Sequence, residues 1–426
     1  MTIEQTDVLV IGAGQAGVAA SEHLSKAGIK HLVLERDRIA EKWRTGRWDS
    51  LVANGPAWHD RFPNLEFTNH HDDAFVPKDQ VAQYFVDYAK QFDAPIREGV
   101  QVTDLSRKSD GAGFVAQTSA GTIESRYVIS ATGAFQNPII PPILPEIDGI
   151  TQMHSIRYRN PQDLPEGNVL VVGAGSSGVQ IATEIMQSGR KTFLSVGSHD
   201  RPPRRYRGRD FVWWLGVLNL WDAEASPAST HTTIAVTGAD GGYTVDFREL
   251  ASQGMTLLGL TERYTDGRLS FADNLVQNIK EGDENYLATL DLADDYVRRN
   301  RLDLPEDPEA RIIAPDPECV STPIRSIDLA EEGITTVIWA TGFGFDYSWL
   351  NVDALDDAGR PAHKRGVSTE PNFYFLGLPW QSRRGSSFIW GVWHDAKFIV
   401  DHIAKQEGYL AYRGAAKRLM AEQQDA

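Results

Sequence analysis

Cysteine is nearly absent: Cys319 stands alone in 426 residues. Without a second thiol there is no intrachain disulfide, no CxxC redox pair and no cysteine-built metal cluster. Long apolar runs are missing as well, since a bilayer span needs ~20 residues. The nearest stretch, Phe211 to Trp221, is short and broken by Gly216 and Asn219. No basic region followed by an apolar segment precedes the first strand, so a cytoplasmic protein is expected. Positive charge is also scarce: 42 Lys and Arg against 58 Asp and Glu leave a net charge of −16. Nucleic acid and anionic lipid both reward basic surfaces, so neither nucleic acid nor membrane is expected as a partner. The chain is too long for one compact core and suits two or three domains.

Glycine, by contrast, is placed with a rule. The run Val8-Leu-Val-Ile11 reads as a buried parallel strand and opens into Gly12-Ala-Gly14-Gln15-Ala16-Gly17. A helical stretch follows to Lys26, then Gly28 where a helix C′ glycine belongs, then a strand His31 to Leu34 ending at Glu35. The order returns at Val169 to Val172, Gly173-Ala-Gly175-Ser176-Ser177-Gly178, a helix to Gln187, Gly189 and a strand Thr192 to Leu194. Each cap glycine follows its first glycine by 16 residues (12 to 28, 173 to 189). In such a unit the first glycine permits the turn, the second admits a pyrophosphate, and the third lets helix pack on strand. The pyrophosphate then lies at a helix N-terminus, where free N–H groups and the dipole favour anions.

The copies differ where ribose chemistry needs them to. Glu35 lies 23 residues past Gly12, placed to accept from ribose hydroxyls, with Arg36 beside it. The matching position after Gly173 is Val196, with no acid, and beyond it come Arg201, Arg204, Arg205, Arg207 and Arg209. Losing the acid and gaining arginines favours a 2′-phosphate, hence NADPH, with Arg201, Arg204 and Arg205 as phosphate contacts. Arg207 and Arg209 read as a solvated basic loop. The first loop is the FAD site on this reading.

Two further strands end alike, Tyr127 to Ser130 in Ala131-Thr132-Gly133 and Thr336 to Trp339 in Ala340-Thr341-Gly342. A glycine there allows a ligand close to the sheet edge, so Thr132, Gly133 and Gly342 join the cofactor candidates. Pro138 to Pro145 reads as a linker. The region 206–322 is less regular, with a polar stretch at 224–243 and an acidic helical one at 283–300. Near the C-terminus, Phe373 to Gly377 reads as a buried strand. A helix is expected from Asp395 to Lys405, with Asp395 as its N-cap beside a flavin.

Together these residues resemble the class B flavin-containing monooxygenases, especially the shorter bacterial and plant members. The likeness rests on both glycine loops, Glu35, the Trp43 region, Asn54-Gly55-Pro56, both Ala-Thr-Gly turns and the C-terminal strand and helix. It implies an α/β fold of two Rossmann-like dinucleotide-binding domains, the NADPH domain inserted into a discontinuous FAD domain. The expected pieces are 1–160 and 326–426 for FAD and 165–325 for NADPH. It further implies that NADPH and O2 drive oxygenation of a small-molecule substrate through a C4a-(hydro)peroxyflavin, in a chain that forms a homodimer. Asn54 matches the motif asparagine that supports that adduct, since an amide both donates and accepts; Trp43 would lie near the flavin. The alternative is a flavin reductase or dehydrogenase without oxygen insertion.

Two departures from the family pattern stand out. The fingerprint Phe-x-Gly-x3-His-x3-Phe/Tyr becomes Ile147-Asp-Gly149, four residues, then His154 to Tyr158, and His154 reads as a hinge residue. Glu41-Lys42 replaces the double glycine before Trp43. The tract His70-His71-Asp72-Asp73 lacks ligand spacing for a metal, and the tryptophans between 211 and 221 read as core rather than a substrate cage.

Overall fold

The computed structural model describes residues 3–225 and 233–424. Strand β1 (Glu4–Ile11) is fully buried over its last four residues. It lies between β2 (His31–Leu34) and β3 (Gly121–Ser130), parallel to both, which is why an unbroken apolar run is tolerated. Helix α1 (Gln15–Lys26) crosses from β1 to β2. It stops because Gly28, at φ +66, lets Ile29 N–H reach back to the Leu24 carbonyl at 3.0 Å. Val8, Val10, Val18 and Ile129 form one core with Phe85 of α2 (Lys78–Lys90).

The second glycine loop belongs to a separate parallel sheet. Its strands are β4 (Thr151–His154), β5 (Asn168–Val172), β6 (Thr192–Ser195), β7 (Thr256–Leu258) and β8 (Ile334–Trp339), in the spatial order β7-β6-β5-β8-β4. Helix α3 (Ser176–Gln187) follows β5, and Val169, Val171, Ile181, Leu194, Leu257 and Ile338 fill the core beneath it. The long helix α4 (Leu275–Asn300) starts earlier than the acidic stretch suggested. The strand β9 (Phe373–Phe375) then returns to the first sheet, parallel to β3. So one Rossmann-like unit interrupts another. By strand pairing the inserted sheet takes in 151–154 and 334–339, a wider span than 165–325. Its outer strands are short, and short strands carry little period to read.

The two crossings between the sheets run side by side. Asn137–Pro138 pairs antiparallel with Phe343–Gly344. His154, buried, accepts from Ile156 N–H at Nδ1 (3.2 Å), which leaves Nε2 to donate to the Gly342 carbonyl at 2.9 Å. Burial holds this imidazole below the ordinary histidine range, so the neutral form that both bonds require is favoured. His154 thus ties the start of the inserted unit to the chain where it leaves that unit. No helix among the described residues is long and apolar enough to cross a membrane.

The C-terminal helix α5 (Ile389–Gln424) begins six residues before Asp395. Asp395 is therefore inside the helix, not its N-cap. It is buried and accepts from the Ser382 hydroxyl at 2.6 Å. The apolar residues Ile389 and Val392 carried the helix further back than polar capping signals indicated. Within the polar stretch, residues 226–232 lie outside the described residues.

Candidate active site

A cavity of about 500 Å³ opens where β1 ends. Gly12, Gly14, Gln15 and Ala16 form one wall, Glu35 and Arg36 the end of β2, Thr132 and Gly133 the end of β3, and Trp43 a flank. Gly17 is spent on packing: a Cβ there would sit 1.8 Å from the Gly12 carbonyl oxygen. A Cβ on Gly12 would meet the Ala131 oxygen at 2.6 Å, whereas no atom of the described residues lies within 4 Å of the one Gly14 would carry. That bare, open α-carbon is the place a diphosphate needs. Glu35 accepts from Ala13 N–H (2.8 Å) and Asp37 N–H (3.0 Å), which fixes the carboxylate at the cavity edge with lone pairs to spare.

Several lining residues escaped the sequence reading. Gly377 and Ser387 come from the returning C-terminal piece, and Gln15 Nε2 donates to the Ser387 carbonyl at 2.8 Å. Arg47 lies 4.4 Å above the Phe135 ring, and burial pushes its guanidinium down to about 10. Burial, then Arg36 and Arg47 nearby, lowers the Lys42 ammonium. Three cations at one mouth of an acidic protein suit a diphosphate. Of these, Arg36 was legible beside Glu35, and Lys42 only as part of the pair that replaces the family's double glycine.

Asn54 lies outside this cavity's wall, at the seam between the two sheets. Its Oδ1 accepts from Gln180 Nε2 of α3 at 3.0 Å, and its carbonyl accepts from Arg204 at 2.7 Å. Among the described residues its Nδ2 has no partner. Gly55 N–H donates to Asp60 at 3.0 Å, and the same carboxylate accepts from His59. The loop is thus held from both domains, with one amide donor left over.

A family model described as pyridine nucleotide-disulphide oxidoreductase matches residues 9–209. A Geobacillus kaustophilus protein described as an uncharacterized CzcO-like oxidoreductase is 33% identical over 402 residues, covering 93% of this chain and 98% of its own. Rice indole-3-pyruvate monooxygenase YUCCA1 is 26% identical over 390 residues, covering 88% and 84%. Among solved structures, a Stenotrophomonas maltophilia flavin-containing monooxygenase shares the fold at 18% identity and TM-score 0.66, covering 95% and 99%. By the Geobacillus match the chain belongs to the family of CzcO-like oxidoreductases, and it resembles the class B flavin-containing monooxygenases. It is an oxidoreductase by that membership and shares its fold with flavin-containing monooxygenases.

The second glycine loop is present here, and of the arginines behind it Arg201 and Arg204 are already paired with carboxylates inside the protein. Arg201, buried, pairs with Asp283 (3.0 Å) and Asp246 (3.3 Å) above the Tyr286 ring. Arg204 is 1% exposed and forks onto Asp210, with Nε to Oδ2 at 3.0 Å. Arg205 is exposed and donates to the Gly241 and Gly242 carbonyls at 2.9 and 3.0 Å. A buried guanidinium must find a carboxylate, and these found internal ones. Arg207 likewise pairs with Asp294. Gly173, Gly175, Ser176, Ser177 and Gly178 form a strand-to-helix loop beside Ala340, whereas the Gly342 carbonyl is taken up by His154 and Ile139 N–H. Trp214 and Trp221 are core, as read. No cluster of metal ligands occurs among the described residues.

Proposed function

We propose that the protein is a monooxygenase in which FAD occupies the 500 Å³ cavity, a nicotinamide dinucleotide binds the second loop, and a small organic substrate takes one atom of O2. The observation that carries this is Asn54: a motif amide at the domain seam, fixed from both sides, with an N–H donor to spare. When bound, the flavin supplies the activation of oxygen; the chain supplies orientation and a dry setting. Gln15, Glu35 and Arg47 hold and orient that cofactor. Gln180 fixes which way the Asn54 amide faces, so its N–H half points away from α3 and can donate without giving up a proton.

NADPH is the proposed reductant because Val196 and its neighbours carry no acid to repel a 2′-phosphate. With Arg201 and Arg204 committed elsewhere, the preference over NADH is small. Sulfides, amines and ketones are the substrates to offer. The test counts oxygenated product and hydrogen peroxide per NADPH consumed under air. Product formation with at least one substrate class supports oxygenation; quantitative peroxide, or transfer only to an added acceptor, gives the reductase reading instead. Asn54→Ala should raise the peroxide fraction several-fold with the NADPH KM little changed. An unaltered fraction removes Asn54 from the chemistry.

A further inference from the structure

The two glycine loops provide an internal comparison. Gly12 and Gly173 have φ +104 and +108, and a Cβ on either would lie 2.6 Å from a carbonyl oxygen, of Ala131 or of Ala340. Gly17 and Gly178 abut the first glycine's oxygen at the same 1.8 Å. The copies part at the middle glycine, whose bare α-carbon admits the diphosphate. Gly14 faces open space. At Gly175 the Thr233 methyl would be 2.9 Å from a Cβ. The approach that is open in the first loop is filled in the second by the chain itself.

The filling segment is pinned from the loop it covers, from the helix that follows that loop, and from Asp200. The Ser176 hydroxyl donates to the Ile234 carbonyl at 2.7 Å. Asp200 N–H donates to the Thr233 carbonyl (2.7 Å), and Ala235 N–H donates to the Asp200 carbonyl (2.9 Å). Gln180 Nε2 donates to the Val236 carbonyl at 2.9 Å, and Ala235 is fully buried. The same Gln180 nitrogen holds Asn54. Next along the chain, Gly238 packs so that a Cβ would be 2.3 Å from the Ala53 carbonyl oxygen. The segment therefore touches both the second dinucleotide loop and the Asn54 loop.

We infer that residues 233–236 form a strap that competes with the coenzyme diphosphate for Gly175 and Ser176, so that a nicotinamide dinucleotide binds only when the strap lifts. This rests on the nicotinamide reading of that loop. The closed form divides the affinity: a strap closed nine-tenths of the time weakens the measured Kd about tenfold. NADPH and NADH share the diphosphate, so the strap weakens both equally, unlike a 2′-phosphate determinant. Lifting it also frees Gln180 from Val236, which couples coenzyme arrival to the setting of Asn54.

The experiment uses FAD-loaded protein and the oxidised coenzymes NADP+ and NAD+. Hydrogen exchange of the 233–236 peptide is followed with and without saturating NADP+, and both Kd values are measured by titration calorimetry. Exchange should accelerate when NADP+ binds. Thr233→Ala should tighten both coenzymes by a similar factor, up to about tenfold. A D200C/I234C disulfide, in a Cys319→Ser background, should weaken both at least about tenfold while oxidised and recover on reduction, with FAD content unchanged. Unchanged protection under saturating NADP+, or an oxidised lock with the wild-type Kd, overturns the strap. If neither coenzyme binds wild type, Thr233→Ala or the reduced lock, the nicotinamide reading itself falls, and the strap with it.

Discussion

At the scale of single residues, two charged side chains behind the two glycine loops have opposite fates. Glu35 is where its spacing from Gly12 placed it, gripped by two backbone N–H groups at the cavity edge. Such charge-assisted bonds are worth about 1.5–3 kcal/mol each, and Glu35→Gln keeps the shape while removing the charge. FAD should bind about 10- to 100-fold more weakly, measured by flavin fluorescence on titration into apoprotein. Arg204 has the opposite fate. Its fork onto Asp210 is sealed from water, and Asp210 also caps the following helix through Val212 N–H. Arg204→Ala strands that carboxylate, which typically costs about 3–5 kcal/mol. Denaturant unfolding should show a loss of that order, while the ratio of NADPH to NADH KM stays as in wild type. A selective rise in the NADPH KM would restore a phosphate role.

At the scale of elements, α1 is anchored by a feature its glycine signature conceals. Glu22 is 3% exposed and accepts from four groups: Lys26 (2.6 Å), Asn64 (2.7 Å), Tyr88 (2.8 Å) and Trp393 Nε1 (2.6 Å). It joins α1 to α2, to the loop after Phe62 and to α5. Burial acts to raise its pKa, but the Lys26, Tyr88 and Trp393 bonds outweigh that, and the carboxyl lies below its ordinary value. Because the folded pKa is the lower one, the stabilisation is present above the unfolded value of about 4.3. It is lost as pH falls through the folded value. Glu22→Gln should therefore lower Tm at pH 7 and converge toward wild type below about pH 4. Parallel curves across that range would place the acid sensitivity elsewhere.

At the scale of the whole molecule, one unit used twice yields two sites that can be broken separately. Gly12 and Gly173 share a positive φ and a carbonyl 2.6 Å from any added Cβ. Alanine at either position is strained by about 1–3 kcal/mol and collides with the neighbouring strand end. Gly12→Ala should yield protein depleted of FAD. Gly173→Ala should retain FAD but lose flavin reduction by NADPH, followed anaerobically by bleaching of the flavin band. Loss of FAD from both variants would mean that the sheets do not fold independently across the Asn137–Phe343 crossing.

What the sequence by itself determined were the features made by residues close together along the chain. Strand, glycine turn, helix and cap glycine, with Glu35 a short step on, follow from local backbone geometry and survive any tertiary setting. The same holds for the two Ala-Thr-Gly strand ends. Only the tertiary structure decided the fate of groups whose partners lie far away. Arg201 found Asp283, Asp395 found Ser382 within a longer helix, Arg47 found Phe135, and Gly175 found Thr233. The reason is electrostatic and steric. A charged side chain in water and the same side chain in a core look alike in one dimension. Which it becomes depends on the carboxylate or ring that folding brings to it.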